Sequence, residues 1–288
     1  MGGCSMTHPA AQPAQQSAQQ SAQQSAQQSA QQSAQQSAQQ SAQQSAQQHT
    51  YHQAFKAQLY AQFARIGKAL ASPQRLALLD LLAQGERTVE ALAREAGLSV
   101  ASASQHLQAL RQAHLVATRK AGLYVFYRLA NDTVFTLWQA VQVVGEQQLA
   151  EVDRLLALYQ REPEALEPLS RDELRARMAS GEVIVLDVRP AEEYRQGHIA
   201  GARSLPVDEL AARLAEVPAG SEIVAYCRGP YCLFSHEAVA TLTAHGYRAR
   251  RLIEGYPEWR VAGFPTREGP PESVAPQGPQ GKAPYATA

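Results

Sequence analysis

The sequence predicts two folded domains of different classes, a mainly α-helical domain with a β-hairpin and an α/β domain with a parallel sheet. Between Tyr51 and about Arg161, apolar residues recur at the spacing of amphipathic helices, interrupted by one pair of β-rich runs. After a linker over residues 162–169, short apolar runs alternate with helical patterns, which is typical of parallel sheets. A chain of 288 residues has room for about two such domains.

The first fifty residues predict a disordered, low-complexity arm. Ser17–Gln48 consists of eight copies of Ser-Ala-Gln-Gln, without charge or large apolar side chains. Burial of such a tract cannot offset the entropy lost on ordering it, although Ala and Gln tolerate a helix. We therefore expect residues 1–50 to be disordered or intermittently helical. We also expect a disordered tail over residues 268–288, which are rich in Pro, Gly and Gln.

Capping signals divide the first domain, residues 51–161, into short helices. A first helix places four apolar side chains at helical spacing, namely Leu59, Phe63, Ile66 and Leu70. Ser72 followed by Pro73 is typical of an N-cap and a first helical residue. Thr88 and Ser99 are expected to cap the next two helices. The glycines that end the second and third helices are Gly85 and Gly97.

A hairpin and one long helix complete this domain. Leu115–Arg119 and Tyr124–Arg128 flank Lys120-Ala121-Gly122, which predicts two strands joined by a turn. Apolar residues at helical spacing then predict a single helix from about Thr133 to Tyr159.

The second domain, residues 170–267, begins with the capping box of Ser170 and Glu173. Val183–Val188 and Ile223–Tyr226 are the short apolar runs of buried parallel strands. Ser235–His245 predicts a helix that packs on this sheet.

Charge differs between the two domains although the formal net charge is zero. Tyr51–Asn131 contains ten Lys and Arg against four Asp and Glu, whereas Ala165–Arg267 contains thirteen against fourteen. Only the first domain therefore has the positive balance that favours nucleic acid. The chain has three cysteines and no apolar run near the roughly 20 residues that span a bilayer. We expect a cytoplasmic protein without a secretion signal or a membrane partner.

Two short helices separated by Gly97-Leu98-Ser99, with a basic hairpin after them, form the pattern of a winged helix-turn-helix. Its second helix enters the major groove, and its outward side chains reach base edges. The residues expected on the DNA-reading helix are Ser99, Val100, Ser102, Ser104, Gln105 and His106. The residues expected to meet phosphates are Arg111, Arg119, Lys120 and Arg128.

The stretch LSVASASQHLQALRQAHLV, residues 98–116, resembles the recognition-helix signature of the ArsR family, in particular around Ser104, His106 and Leu107. The resemblance extends from about Tyr51 to Tyr159. It implies a double-stranded DNA operator as partner and a homodimer formed by the first and last helices. His114 replaces the glycine usual in that family, and His tolerates a left-handed backbone better than branched residues do.

Metal sensing, which is frequent in the ArsR family, is not expected here. The first domain contains no cysteine, and its last helix offers Glu146, Glu151 and Asp153 without a histidine. His106 and His114 lie on or beside the DNA-facing helix. We predict no metal site and no cofactor.

Three motifs in the second domain resemble a rhodanese-like sulfurtransferase domain. They are Ile184–Pro206, the loop YCRGPYC over residues 226–232, and Glu254–Trp259. The resemblance covers about Leu169–Pro265 and departs from the family at Glu254, where a second glycine is common. It implies that Cys227 carries sulfane sulfur as a persulfide.

The residues around Cys227 lead to the same chemistry. A loop between a strand and a helix aims backbone N–H groups and the positive helix end at the sulfur, which stabilises a thiolate or persulfide. A thiolate attacks the outer sulfur of thiosulfate or a polysulfide, and a thiol is the expected acceptor. Arg228 adds positive charge for an anionic donor, whereas Pro230 removes one N–H. The other residues expected in this persulfide loop are Gly229, Tyr231 and Cys232.

Cys232 has two open interpretations: it faces the start of the helix, or it resolves the Cys227 persulfide into a disulfide. Charge pairing rather than chemistry is expected of Asp187, Arg189 and Glu193, and a structural role of His198. Phosphatase chemistry requires an arginine six residues after the cysteine, where this chain has Leu233.

The sequence leaves three functional hypotheses. In the first, the persulfide state of Cys227 alters DNA binding in a transcription regulator. In the second, the chain is chiefly a sulfurtransferase with an independent DNA-binding domain. In the third, the rhodanese fold only binds partners.

Overall fold

The computed structural model describes residues 12–159, 166–218 and 220–270. The chain divides into two compact units at Arg65 and Ile66. Half of the predicted 162–169 linker and most of the predicted tail lie outside the described residues, as does Cys4. None of the described helices combines the length and the apolar character that crossing a bilayer requires.

Helix α1, Gln12–Leu70, contains the described part of the arm that the sequence predicts to be disordered or intermittently helical, and residues 1–11 lie outside the described residues. Residues 17–65 of this helix are exposed throughout. From Ser21 to Ser45, each repeat serine donates its hydroxyl to the carbonyl oxygen four residues earlier, at 2.8–2.9 Å. Because Ala and Gln are good helix formers, backbone hydrogen bonds form this helix although its residues 17–65 bury no face. The boundary predicted at residue 50 is therefore not the end of an element.

The second unit begins with the winged helix-turn-helix. Its elements are α2 (Pro73–Ala83), β1 (Arg87–Thr88), α3 (Val89–Glu95), α4 (Val100–Gln112), β2 (Val116–Ala121), β3 (Tyr124–Leu129), α5 (Asp132–Gln148) and α6 (Ala150–Tyr159). The strands pair antiparallel in the order β1-β3-β2, and β2 with β3 forms the predicted hairpin. Leu78, Leu92, Leu107 and Leu110, none of them exposed to solvent, join the helices in one core.

Local signals in this domain are correct in most places and wrong in one. The hydroxyls of Thr88 and Ser99 accept hydrogen bonds from the backbone as N-caps, and Ser72 is the N-cap residue before Pro73 although its side chain makes no cap bond. The predicted single helix over 133–159 is broken at Leu149, whose extended φ of −117° and ψ of 100° separate α5 from α6. His114 has the left-handed φ of 58° that the family's glycine suggests.

The α/β domain follows in the same unit. Its elements are α7 (Arg171–Ser180), β4 (Val183–Asp187), α8 (Ala191–Gln196), β5 (His198–Ile199), β6 (Arg203–Ser204), α9 (Val207–Leu210), a 3-10 helix (Ala211–Glu216), β7 (Glu222–Tyr226), α10 (Phe234–Ala244), β8 (Arg248–Arg251), α11 (Tyr256–Val261) and β9 (Thr266–Arg267). The capping box of Ser170 and Glu173 forms as predicted. Leu169, placed in the linker by sequence, is 1% exposed and bridges to Leu252, because it extends the sheet edge.

A parallel sheet in the order β6-β4-β7-β8 positions the candidate active site. Strand β7 lies inside this sheet and ends at Tyr226, so Cys227 stands at its carboxyl end, before α10. In open parallel sheets this edge is where ligands bind.

Candidate active site and DNA interface

The loop from Cys227 to Cys232 is tightly folded. The Cys232 N–H donates to the Gly229 carbonyl at 3.1 Å, in a turn whose second residue is Pro230. The Tyr256 N–H donates to the Cys227 carbonyl at 3.2 Å. A Cβ atom at Gly255 would lie 2.4 Å from backbone atoms of Arg228 and Gly229, so the loop packs against a position that only glycine can fill.

The Cys227 sulfur is enclosed by this loop and the start of α10. Cys227 is 2% exposed, and its Sγ lies 3.4 Å from Ser235 Oγ and 3.5 Å from the Cys232 carbonyl oxygen. Burial raises the pKa of the Cys227 thiol. Hydrogen bonds from the Cys232 and Ser235 side chains, and from the Gly229 and Ser235 backbone, outweigh burial and lower this pKa to about 7. The site therefore favours a thiolate near neutral pH.

Cys232 is the second thiol of the loop and is half-buried. Its hydrogen bond to the Cys227 sulfur and its burial raise the pKa of the Cys232 thiol. Both cysteines are free thiols in this structure. Since Cys232 donates and Cys227 accepts, Cys227 ionises first.

A buried group of acidic and basic side chains braces the loop. Arg189 Nη2 lies 2.6 Å from Asp187 Oδ2, and both residues are fully buried. Arg228 Nε donates to Glu193 Oε1 at 2.9 Å, and Glu193 is 1% exposed. His198 is buried, with Nδ1 2.9 Å from the Tyr194 carbonyl oxygen. The guanidinium of Arg228, expected to attract an anionic donor, is thus already paired with a carboxylate.

The same group extends into the helix-turn-helix domain. Arg228 Nη2 lies 3.2 Å from Glu95 Oε2 at the end of α3, and Arg87 Nη2 lies 2.9 Å from Glu193 Oε1. Gln84, 1% exposed at the end of α2, donates from Nε2 to the Arg228 carbonyl oxygen at 3.0 Å. The residue that follows Cys227 is therefore bonded directly to the DNA-binding domain.

Helix α4 presents the predicted DNA-reading residues unevenly. Gln105 and Val100 are exposed, the latter by 48%. The Ser99 hydroxyl is engaged, because it accepts from the Ser102 N–H at 3.1 Å. The partly buried members of the predicted set are Ser102, Ser104 and His106.

The hairpin and the end of α4 carry the predicted phosphate contacts, all exposed: Arg111, Arg119, Lys120 and Arg128. Arg119 differs from the others in pairing with Glu86 through both Nε, at 3.2 Å, and Nη2. Its guanidinium also lies 5.0 Å from the centre of the Phe126 ring. Arg119 therefore holds the wing to the residue before β1.

Sequence reasoning missed three side chains that contact the loop or its arginine: Gln84, Glu95 and Ser235. It also missed Arg87, which pairs with Glu95 and Glu193, the two glutamates that hold Arg228. Only Ser235 left a signal, as a hydroxyl at the start of the helix after the cysteine. Across the described residues, no group of three or more His, Cys, Asp or Glu side chains is placed to hold a metal ion.

Family comparisons agree with this division of the chain. Residues 170–262 match the model of the rhodanese-like domain, and residues 72–118 match that of the bacterial regulatory proteins of the arsR family. The chain is 48% identical over 216 residues to the HTH-type transcriptional regulator Rv0324 of Mycobacterium tuberculosis, covering 75% of this chain and 95% of that protein.

Two further relatives each match one domain. A sulfurtransferase of Allochromatium vinosum is 33% identical over 112 residues, which are 38% of this chain and 96% of that protein. A solved homodimeric winged helix-turn-helix DNA-binding domain of Mycobacterium bovis is 50% identical and covers 33% of this chain and 87% of its own, with a TM-score of 0.32. The extent of the Rv0324 match and the two family models decide the assignment: the chain belongs to the ArsR-type HTH transcriptional regulators and carries a rhodanese-like domain.

Proposed function

We propose that this DNA-binding regulator carries sulfane sulfur on Cys227 and that the sulfur state of the loop alters DNA affinity. One observation carries the proposal. Arg228 follows the sulfur-carrying residue and pairs with Glu95, in the helix immediately before the DNA-reading helix.

The proposed chemistry begins with the Cys227 thiolate. The thiolate attacks the outer sulfur of thiosulfate and forms a new S–S bond, while the S–S bond of thiosulfate breaks and sulfite leaves with the electron pair. An acceptor thiolate then attacks the terminal sulfur of the Cys227 persulfide, forms its own persulfide and releases the Cys227 thiolate. The thiol pKa of about 7 supports this step, since the attacking form is abundant at neutral pH.

Coupling to DNA follows from the tight enclosure of the sulfur. A second sulfur atom on Cys227 must find room between Ser235 and the Cys232 carbonyl, which lie 3.4 and 3.5 Å from Sγ. The loop shifts to admit it, and the carbonyl and guanidinium of Arg228 move with the loop. Gln84 and Glu95, bonded to these two groups, transmit the shift to α2 and α3.

Operator binding with and without sulfur donor tests this function. A duplex selected from a random library by the wild-type protein serves as operator, and sodium tetrasulfide serves as donor. We expect tetrasulfide to change the Kd of the wild type and to leave the Kd of Cys227→Ser unchanged. Equal Kd values in the treated and untreated wild type, with persulfide verified by mass spectrometry, would contradict coupling.

The second candidate is a sulfurtransferase whose DNA-binding domain is independent, and the likeness to the sulfurtransferase of Allochromatium vinosum favours it. Turnover of thiosulfate without a change in operator affinity supports this candidate. Absence of both turnover and coupling supports a partner-binding role of the rhodanese-like domain.

We further propose that the protein acts as a cytoplasmic homodimer, as the Mycobacterium bovis domain is a homodimer. Helix α1 exposes aromatic side chains, including Phe55 by 56% and Phe63 by 60%. Helices α5 and α6 expose Val144 by 57% and Leu155 by 55%. Such apolar exposure is typical of a surface that a second copy covers.

A further inference from the structure

A cavity of about 500 Å³ lies between the helix-turn-helix domain and the loop that follows Cys227. Helices α2 and α5 form one wall, with Asp80 and the aromatic rings of Phe135 and Trp138. The segment Arg228–Phe234 and the side chain of Glu258 form the other. Cavities of this volume, with apolar walls and a few polar groups, are typical of small-molecule sites.

Two carboxyl groups face this cavity without a paired cation. Asp80 accepts a hydrogen bond from Trp138 Nε1 at 3.3 Å, and Glu258, 7% exposed, accepts one from the Gly255 N–H at 2.9 Å. In the described part of the chain, neither carboxyl group has a cationic side-chain nitrogen within 4 Å. Burial raises the pKa of both groups, that of Glu258 to about 7. A cation at this position would relieve that cost.

The nearby arginines are occupied elsewhere. Within the described residues, Arg189 is paired with Asp187, Arg87 with Glu95 and Glu193, and Arg228 with the same two glutamates. Three guanidinium groups thus face three carboxylates in this group. The attraction of Arg228 lowers the pKa of Asp80 by less than burial raises it. The cavity is therefore left with two carboxyl groups that have no paired cation.

We propose that this cavity binds a small organic cation, an amine that carries an aromatic or bulky apolar group. The ammonium would lie between Asp80 and Glu258, and the apolar part would pack on Trp138 and Phe135, whose ring faces also attract cations. An anion such as thiosulfate would meet two uncompensated carboxyl groups there. The proposal concerns a second ligand, and it does not depend on sulfur transfer by Cys227.

Binding of an amine probe to the full-length protein tests the proposal. Calorimetric titration at neutral pH compares 2-phenylethylamine with 2-phenylethanol and phenylacetate, which keep the ring and replace the ammonium with a neutral hydroxyl or a negative carboxylate. We expect the amine to bind at least about tenfold more tightly than either, a difference of about 1.4 kcal/mol. Absence of amine binding, or equal Kd values for amine and carboxylate, would overturn the proposal.

Two variants locate the bound amine. Asp80→Asn removes one charge at constant shape and should weaken amine binding about tenfold, while the weaker alcohol binding stays as it is. Asp172→Asn, an exposed carboxylate in the first turn of α7, is the matched control and should bind the amine like the wild type. Ala77→Phe fills the cavity from α2 and should weaken all three probes. A folded Asp80→Asn variant that still prefers the amine over the alcohol as strongly as the wild type does would contradict the proposed position of the ammonium.

Discussion

Hydrogen bonds from Cys232, Ser235 and the loop backbone lower the pKa of Cys227. Because the thiolate is the reactive form and the pKa of Cys227 is about 7, its alkylation by iodoacetamide should rise with pH and be half-maximal near pH 7. Ser235→Ala removes one hydrogen bond to the thiolate, so we expect its midpoint at higher pH. Ser180→Ala, in which the lost hydroxyl donates to the Arg177 carbonyl, is the control and should keep the wild-type midpoint. An unshifted midpoint in Ser235→Ala would assign the low pKa to Cys232 and the backbone.

Gly255 allows the close approach of α11 to the loop. A methyl group at this position would meet backbone atoms of Arg228 at 2.4–2.6 Å, and backbone cannot move aside as a side chain can. We expect Gly255→Ala to lower the free energy of unfolding by about 1–3 kcal/mol and to slow sulfur transfer. Gly145→Ala is the control, since nothing lies within 4 Å of a Cβ there and alanine favours a helix. Chemical denaturation measures the free energy of unfolding of both variants. Equal stability of Gly255→Ala and Gly145→Ala would contradict the prediction.

At the residue scale, the sequence identified Cys227 and its loop because three motifs follow one another in a fixed order. It could not identify the partners of Arg228. Glu95 lies 133 positions away, and no local pattern shows which of several carboxylates meets a given guanidinium. For the same reason, Arg119 was expected on phosphate while the structure pairs it with Glu86.

Two elements of the DNA-binding domain are expected to serve different purposes. Lys120→Ala on the wing should weaken binding to operator and random duplexes equally. It should also lower the slope of the logarithm of the binding constant against the logarithm of salt concentration by roughly one. Gln105→Ala on α4 should instead reduce the difference in binding free energy between operator and random DNA by about 1–3 kcal/mol, because the amide of Gln105 can form hydrogen bonds with a base edge. Fluorescence anisotropy over a salt series measures both. If the Gln105 variant still discriminates fully between operator and random DNA, we would assign the base contact to Ser102 or His106 instead.

The Ser-Ala-Gln-Gln helix is expected to be dispensable for the folded core. Its residues 17–65 are exposed, so deletion of residues 10–48 removes no buried side chain among those that the structure describes. The free energy of unfolding should change by less than about 0.5 kcal/mol, with sulfur transfer unchanged and helical circular dichroism reduced. A larger loss of stability at matched protein concentration would mean that this segment packs on a second copy.

Element prediction from sequence was accurate where a local cause decides the backbone. The caps at Thr88 and Ser99 and the capping box of Ser170 are set by hydrogen bonds within four residues. The break at Leu149 has no such local signal, since neither Gly nor Pro stands there. The prediction for the arm rests on what the arm cannot bury, whereas the helix propensity of Ala and Gln favours its helical backbone.

At the scale of the whole molecule, the contact of Arg228 with Glu95 is the simplest measure of domain coupling. A double-mutant cycle with Glu95→Gln and Arg228→Gln isolates their pair from the bonds of Arg228 to Glu193. We expect a coupling energy of about 0.5–3 kcal/mol in the free energy of unfolding. The same cycle with Arg195 and Glu192, an exposed pair within α8, should give no more than about 0.5 kcal/mol. If the effects of the two substitutions on the free energy of unfolding are additive, the contact between Glu95 and Arg228 does not couple the two domains.

The composition and periodicity of the sequence predict two domains, but they do not predict how the two domains contact each other. Gln84 ends a helix in one domain and accepts from Arg189 of the other at 3.3 Å. Docking of this kind depends on shape and on buried polar atoms that meet only in three dimensions. The pattern of polar and apolar residues along the sequence does not predict these contacts.

The 2% exposure of Cys227 makes its reactivity a question of timing as well as of acidity. A reagent reaches the sulfur only while the loop is open, so the intrinsic rate is multiplied by the fraction of time spent open. Bulky oxidants need a wide and rare opening, whereas a small reagent such as thiosulfate needs a narrower and more frequent one. We therefore expect the enclosure to act as a kinetic filter that favours small sulfur donors over larger electrophiles that are more reactive in free solution, and to shelter the proposed persulfide between transfers.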